Sequence, residues 1–153
     1  MFKNEYILNR KLITEYVLNI LCRNIIIVGI IILIFGLVLF LTNTISFMGL
    51  YGEIFIAFCL IFAPIIMIKN LEDNSKRLNN GKIEKTIVEF NDNIVMNEGK
   101  VHLEFEYNQI KKIKQTKHFI VLMISNKSAI LVLKNGFVNG NKDEFIEFIN
   151  KKN

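Results

Sequence analysis

The stretch IIIVGIIILIFGLVLFL, from Ile25 to Leu41, carries no charged or strongly polar side chain. As an α-helix it is roughly 25 Å long, and a turn of flanking residues brings it to the ~30 Å hydrocarbon thickness of a bilayer. A helix on the surface of a soluble domain needs only an apolar stripe, not apolar side chains on every face. The sequence therefore predicts a transmembrane helix over residues 25–41.

A second apolar segment follows a short polar link and runs from Phe47 to Ile68, interrupted only by Glu53. The two segments together predict an antiparallel transmembrane hairpin over 25–68. Gly29 and Gly36 stand seven residues apart and share a helix face, where the missing side chains allow a neighbouring helix to approach closely. That neighbour is either the second helix of the same chain or a second copy in a homo-oligomer.

Basic residues flank the hairpin on both sides, and the link between its helices has none. The positive-inside rule places such flanks in the cytoplasm. The sequence therefore predicts a multi-pass protein with both termini cytoplasmic. The basic residues are Lys3, Arg10, Lys11 and Arg23 before the hairpin and Lys69, Lys76, Arg77, Lys82 and Lys85 after it.

The bulk composition argues against most catalytic classes. The chain has 153 residues, a net charge of +5 and 52% hydrophobic residues, and the hairpin leaves room for one small domain. Cys22 and Cys59 belong to no CxxC pair or His/Cys cluster, and the sequence has no glycine-rich phosphate loop or Ser/His/Asp motif. We therefore predict no enzymatic activity, no catalytic residues, no cofactor, no metal and no small-molecule substrate.

The segments outside the hairpin divide into three parts. Residues 1–24 form a cytoplasmic N-terminal segment with an amphipathic helix, because Ile13, Val17, Ile20 and Leu21 recur at helical spacing. Within this segment, the sequence does not decide whether residues 2–8 add a strand to the cytoplasmic domain. Residues 69–81 are a polar linker that starts as a helical extension and breaks at Asn79-Asn80-Gly81. Residues 82–153 form the cytoplasmic domain.

The pattern of the cytoplasmic domain is typical of short strands. Val101, Leu103, Phe105 and Tyr107 alternate with polar residues, as in a half-buried strand. Further apolar runs are separated by turn signals, among them Asn126-Lys127-Ser128. The chain closes with a helix that Asn141 caps and whose apolar stripe is Phe145, Phe148 and Ile149. The predicted fold class is α+β, with the hairpin, a small antiparallel sheet or open barrel, and a C-terminal helix.

Two polar clusters of this domain are candidate binding sites. His102, Glu104 and Glu106 share one strand face, but they have no Cys or second His nearby, and a solvated face explains them better than a metal site.

The other cluster is the basic run of Lys111, Lys112, Lys114 and Lys117, which suits anionic lipid headgroups or an acidic protein partner, with a merely solvated face as the third interpretation. Nucleic acid is disfavoured, because the interleaved residues are Ile and Gln rather than stacking aromatics.

Nearly the whole chain resembles a known family, most specifically from Tyr107 to Ile149. The stretches EYNQIKKIKQTKHFIVLMISNKSAILVLKNGF, from Glu106 to Phe137, and GNKDEFIEFI, from Gly140 to Ile149, are similar to the YcxB-like proteins of bacteria. The resemblance implies a small β-rich module like a pleckstrin-homology domain, a C-terminal helix and a bacterial plasma-membrane location. It implies no established activity and no catalytic residues.

These observations predict a membrane-anchored, non-enzymatic protein that displays a YcxB-like interaction module at the inner face of the plasma membrane. The expected partners are membrane lipids and a protein, either a different one or a second copy. An alternative function is protection of the cell against membrane-active peptides, as in bacteriocin immunity. In that case the hairpin, with Gly29, Gly36 and Glu53, would carry the function.

Overall fold

The computed structural model describes residues 1–125 and 128–152. The predicted turn at Asn126 and Lys127 and the last residue, Asn153, lie outside the described residues. The chain divides into two compact units. The strand-rich unit comprises Met1–Ile13 and Glu72–Asn153, and the helical unit comprises Thr14–Leu71.

The structure contains four α-helices and eight strands in the described parts of the chain. The α-helices are α1 (Arg10–Tyr16), α2 (Arg23–Leu41), α3 (Phe47–Leu78) and α4 (Lys142–Lys152), with a π-helical turn at Val17–Leu21 and a 3-10 turn at Tyr107–Gln109. The strands are β1 (Phe2–Ile7), β2 (Lys85–Phe90), β3 (Ile94–Glu98), β4 (Val101–Phe105), β5 (Lys112–Gln115), β6 (Phe119–Met123), β7 (Ala129–Leu133) and β8 (Phe137–Asn139).

The two predicted apolar segments are helices, and both are long and apolar enough to cross a membrane. Helix α3 extends past Ile68, where the predicted span ends, so most of the predicted linker 69–81 is helical. An ion pair between Glu72 and Lys76, one turn apart at 2.6 Å, supports this extension. The helix then breaks at Asn80 and Gly81, which adopt positive φ angles of 55° and 84°.

Within the helical unit, α2 packs closely against α3. Gly29 and Gly36 are the buried residues of α2. A Cβ atom on Gly29 would lie 3.1 Å from Cγ1 of Ile61 and 3.2 Å from Cβ of Leu60, and the space beside Gly36 is filled by Glu53. The two glycines therefore face the second helix of their own chain.

The strand-rich unit contains two antiparallel sheets. Five strands form one sheet in the order β4-β3-β2-β1-β8, and three form the other in the order β5-β6-β7. All five residues of β6 are buried, because this strand is the middle one of its sheet. The predicted α+β class with antiparallel sheets is confirmed; the likeness to a pleckstrin-homology domain stays a prediction.

Strand β1 answers the question that the sequence leaves open for residues 2–8. It lies between β2 and β8, with Phe2 opposite Phe90 and Ile7 opposite Lys85. The structure therefore divides the chain differently from the predicted boundaries 1–24 and 82–153, because residues 1–13 belong to the same unit as the domain. Residues 2–7 do add a strand, and they add it inside the sheet.

The same strand joins the two sheets. The side-chain amide of Asn4, which is fully buried, donates to the carbonyl of Leu133 at 2.8 Å and accepts from its N–H at 2.9 Å. The Tyr6 hydroxyl donates to the carbonyl of Leu131 at 3.0 Å. Both acceptors lie on β7. A side chain of β1 thus replaces a strand partner at the junction.

Helix α4 packs against the five-stranded sheet. Its N-terminus is capped by Asn141, whose Oδ1 accepts from the N–H groups of Asp143 and Glu144 at 3.0 Å each. Phe145 is fully buried, and its ring centroid lies 4.6 Å from that of Phe90 and 5.5 Å from that of Phe2. The apolar stripe of the helix therefore completes the core over β1 and β2.

Candidate functional site

The strand-rich unit contains a cavity of about 420 Å³ with an unusually basic wall. We call it the basic cavity. Its wall is formed by Asn9, Lys11, Leu12, Lys117, His118, Leu133, Lys134, Asn135 and Lys142. Four of these side chains are lysines, which come from four separate segments of the chain. The cavity therefore exists only in the folded unit.

A tight turn between β5 and β6 positions one side of the basic cavity. The Thr116 N–H donates to the carbonyl of Phe119 at 2.9 Å, and the Thr116 hydroxyl accepts from the Phe119 N–H at 3.1 Å. Lys134 is tied to this turn twice: its N–H donates to the His118 carbonyl at 2.8 Å, and its ammonium donates to the Thr116 carbonyl at 2.7 Å. Lys117, His118 and Lys134 are thereby held together.

Two helix starts position the opposite side. Asn9 caps α1 by accepting from the N–H of Leu12 at 3.0 Å, which places Lys11 in the first turn. Leu12 is buried and fixes that turn against the unit. Lys142 is the first residue of α4, directly after the capping residue Asn141. Both lysines are solvent-exposed, so their ammonium groups can move into the opening.

The charge in the basic cavity is uncompensated within the described part of the chain. None of the residues that form its wall carries a carboxylate, and no described carboxylate lies within 4.0 Å of these four ammonium groups. Ammonium groups repel one another, and this repulsion is relieved by a bound anion.

The surface of β1 and β2 shows the opposite arrangement. There Lys3 lies 3.2 Å from Glu5 and 3.3 Å from Glu89, and Lys85 also pairs with Glu5. The ammonium groups of Lys85 and Lys3 lower the pKa of Glu5 below its ordinary value, and Glu5 and Glu89 raise the pKa of Lys3. Charge on this face is balanced, in contrast to the wall of the basic cavity.

The basic run predicted from the sequence is divided by the fold. Lys117 lies in the turn after β5 and lines the basic cavity, whereas Lys111, Lys112 and Lys114 are not part of its wall. Lys112 and Lys114 lie two residues apart on β5 and so share one face of an edge strand. The sequence does not indicate that Lys11, Lys134 and Lys142 belong to one site, because the turn and the two helix starts bring them together only in three dimensions.

The other sequence candidates have local partners. His102 Nδ1 lies 2.6 Å from Oδ1 of Asn97, and Glu104 and Glu106 accept from the side-chain amides of Asn93 and Asn108 at 2.7 and 2.9 Å. The described residues contain no group of three or more His, Cys, Asp or Glu side chains that could hold a metal ion.

The helical unit holds one further polar candidate. Oε2 of Glu53 is buried beside Gly36 and has no hydrogen-bond partner among the described residues. A carboxylate oxygen in such surroundings is costly to keep. The side chain of Glu53 lies in the space that the missing side chain of Gly36 leaves free.

Residues 90–149 match the model of the YcxB-like protein family. The chain contains a YcxB-like domain. The match confirms the resemblance over these residues, which run from the last residue of β2 into α4. Comparisons with curated proteins and with solved structures gave no match.

The YcxB-like match includes only part of the basic cavity. Lys117, His118, Lys134 and Lys142 lie inside residues 90–149, whereas Asn9 and Lys11 precede the hairpin. The cavity is therefore a YcxB-like surface that the N-terminal segment of this chain completes. Chemically, it can hold an anion through charge-assisted hydrogen bonds from ammonium groups.

Proposed function

We propose that this protein is a membrane-anchored binding protein that displays its YcxB-like domain at the inner face of a bacterial plasma membrane. In this proposal the helical unit is the anchor, crossing the membrane twice. The domain acts by binding and not by catalysis, with membrane lipids and a protein, either a different one or a second copy, as its partners.

The exposure of the two apolar helices carries the anchoring part of the proposal. In the most apolar window of each helix only 11% of the residues are buried, although the mean hydropathy of these windows is 3.1 and 2.3. The core helix of a soluble domain buries most of such a window. Apolar side chains exposed around a whole helix are stable in lipid and unfavourable in water.

The pairing of β1 with β2 supports the two-span arrangement. The helical unit is inserted in the sequence between these adjacent strands. The chain therefore leaves the strand-rich unit and returns to it, which requires an even number of membrane crossings. Lysines and arginines lie before the first crossing and after the second, and the link between the crossings has none. This favours the cytoplasmic side for the strand-rich unit.

Cysteine labelling in intact cells tests this topology. Cys22→Ala and Cys59→Ala first remove the native thiols, and Thr44→Cys then marks the link between the helices while Asp92→Cys marks the β2–β3 turn. A membrane-impermeant maleimide should label Thr44→Cys in intact cells and Asp92→Cys only after permeabilisation. Labelling of Asp92→Cys from outside, or failure to label Thr44→Cys until the cells are opened, would contradict the proposal.

A second candidate function rests on Glu53. Its buried oxygen beside Gly36 places an ionisable group inside an apolar helix, and such a group is by default a functional candidate in a membrane protein. Protection of the cell against membrane-active peptides through the helical unit would use this group.

Survival of cells that express the full chain, measured in the presence of membrane-active peptides, tests this second function. Under it, Glu53→Gln should abolish protection, while Asp92→Asn in the strand-rich unit should preserve it. If the chain confers no protection, or if Glu53→Gln protects as well as the unmodified chain, the second function is wrong.

A further inference from the structure

We infer that the basic cavity is a binding site for a phosphate-bearing polyanion, either a free one or the headgroup of an anionic lipid. The inference deepens the proposed function, on which it rests for the role of the domain as a binding module. It concerns Lys11, Lys117, Lys134 and Lys142, which face a single opening.

The number of unpaired cations points to a ligand with more than one negative charge. Four ammonium groups line one cavity of about 420 Å³, and no carboxylate of the described wall compensates them. A monovalent anion would leave most of this charge unbalanced. A ligand with two phosphate groups, or one doubly ionised phosphate, balances it far better.

The type of cation is suited to phosphate. The described wall contains four lysines, and lysine is a frequent phosphate ligand, although it binds without the planar fork with which arginine matches carboxylate and phosphate alike. Lysine ammonium groups act as point charges, each with three hydrogens to donate. They suit the tetrahedral arrangement of phosphate oxygens, which accepts hydrogen bonds from several directions.

Lys134 is the pre-arranged donor of the site. It is half-buried, and one of its ammonium hydrogens is used by the Thr116 carbonyl at 2.7 Å. This bond fixes the position of the nitrogen while leaving further hydrogens for a ligand. A donor held in place before binding loses less conformational entropy when the ligand arrives.

The exposed lysines complete the site around this fixed donor. Lys11, Lys117 and Lys142 are solvent-exposed and can close onto the ligand from both sides. The volume is at the lower end of the ~300–1,000 Å³ typical of ligand pockets. It accommodates a headgroup or a small diphosphate, and it is too small for the acyl chains of a lipid.

The reactivity of Lys134 toward an acetylating reagent, followed by mass spectrometry, tests the inference on the full chain. One arm uses the protein in neutral detergent micelles with inorganic pyrophosphate as the probe. The other uses nanodiscs of phosphatidylcholine alone or with a minor fraction of cardiolipin. At a probe concentration about ten times the Kd, acetylation of Lys134 should slow roughly tenfold, because it follows the unoccupied fraction.

Two matched triple variants separate the cavity from general charge. The cavity triple is Lys11→Gln, Lys117→Gln and Lys142→Gln; the control triple is Lys82→Gln, Lys100→Gln and Lys151→Gln, three exposed lysines outside the cavity and outside the basic run. Both remove the same charge. The cavity triple should weaken binding by roughly tenfold or more, since it removes charge-assisted hydrogen bonds, and the control triple should bind like the unmodified chain.

Protection by pyrophosphate identifies a free phosphate compound as the source, and protection by cardiolipin alone identifies a lipid headgroup. Either result supports the site. The inference is overturned if neither probe protects Lys134 or if the two triples behave alike. Circular dichroism checks that each variant is folded. Whether either probe protects Lys134 from acetylation is decided with the unmodified chain, which needs no variant. A negative result in this experiment does not change the outcome of the cysteine labelling, so the binding site and the membrane topology are tested independently.

Discussion

Asn4 shows how one residue determines the arrangement of the strand-rich unit. Its buried amide satisfies both backbone groups of Leu133, at 2.8 and 2.9 Å. Leu133 lines the basic cavity and precedes Lys134. A polar residue in the centre of a sheet is usually unfavourable, but here it replaces the missing strand partner. Asn4 thus links the fold of β1 to the position of a functional side chain.

We expect Asn4→Ala to lower the free energy of unfolding of the full chain by roughly 2–5 kcal/mol, because it leaves two buried backbone groups without partners. Denaturant titration of the detergent-solubilised protein measures this change. Asn150→Ala, at an exposed position of α4, is the matched control and should change stability by less than ~0.5 kcal/mol. Equal effects of the two variants would show that the Asn4 bridge contributes nothing.

Glu5 predicts an acid-sensitive contribution to stability. Lys85 and Lys3 lower the pKa of Glu5 in the folded protein below its ordinary value of 4.5. A carboxyl group whose pKa is lower in the folded than in the unfolded protein stabilises the fold at pH values above the unfolded pKa. This stabilisation disappears as the pH falls through the pKa of the folded protein. The unmodified chain should therefore be more stable than Glu5→Gln at neutral pH, and the difference should vanish in acid.

Thermal unfolding of both proteins between neutral pH and pH values well below 4.5 measures this difference. Glu147→Gln, at an exposed site on α4, controls for the removal of one charge and should lower the midpoint of thermal unfolding at neutral pH less than Glu5→Gln does. A gap between the unmodified chain and Glu5→Gln that persists unchanged in acid would assign the effect of the substitution to packing instead of ion pairing.

Among the elements, the helices follow from local sequence far better than the sheet order does. Helix α2 begins at Arg23, two residues before the predicted Ile25, and ends at the predicted Leu41, because an unbroken apolar run defines it. Helix α3 passes Ile68, since polar helix formers and the Glu72–Lys76 pair continue it. The sequence does not decide the position of β1, because its partner strand, Lys85–Phe90, lies beyond the whole hairpin.

The contact between α2 and α3 gives a prediction at this scale. Gly29→Leu should destabilise the helical unit by about 1–3 kcal/mol, because its side chain would overlap Leu60 and Ile61. Gly52→Leu is the matched control, since a Cβ on Gly52 would meet no atom within 4 Å. Loss of the helical fold with increasing sodium dodecyl sulfate, followed by circular dichroism, compares the two. A Gly29→Leu protein as resistant as Gly52→Leu would contradict the packing.

At the scale of the whole molecule, the basic cavity is the feature that sequence patterns could not predict. The sequence indicates Lys117, because this residue ends a basic run. Lys134 and Lys142 have no basic neighbour in the sequence, Lys11 follows only Arg10, and the three meet only through β1 and the cap of α4. A run of like residues is a local signal, whereas a cavity depends on the pairing of distant segments. The class of fold was therefore predictable and the site was not.

The division of the chain predicts that the strand-rich unit folds without the helical unit. Replacing residues 14–71 by a flexible linker joins Met1–Ile13 directly to residues 72–153. About 12 Gly/Ser residues span roughly 20 Å. This linker length is sufficient, because the two ends to be joined lie close together: Arg10 and Glu72, near these ends, interact electrostatically. We expect a detergent-free protein that unfolds cooperatively.

Residues 72–153 alone are the matched control for this linked protein, since they lack only β1 and the start of α1. Without β1, strands β2 and β8 lose their shared neighbour, and Phe2 no longer covers Phe145. Leu133 also loses the Asn4 amide. The fragment should therefore aggregate or unfold without a cooperative transition in urea, while the linked protein shows one. Equal midpoints for the two would mean that β1 is dispensable, and the basic cavity would then have to form without Lys11.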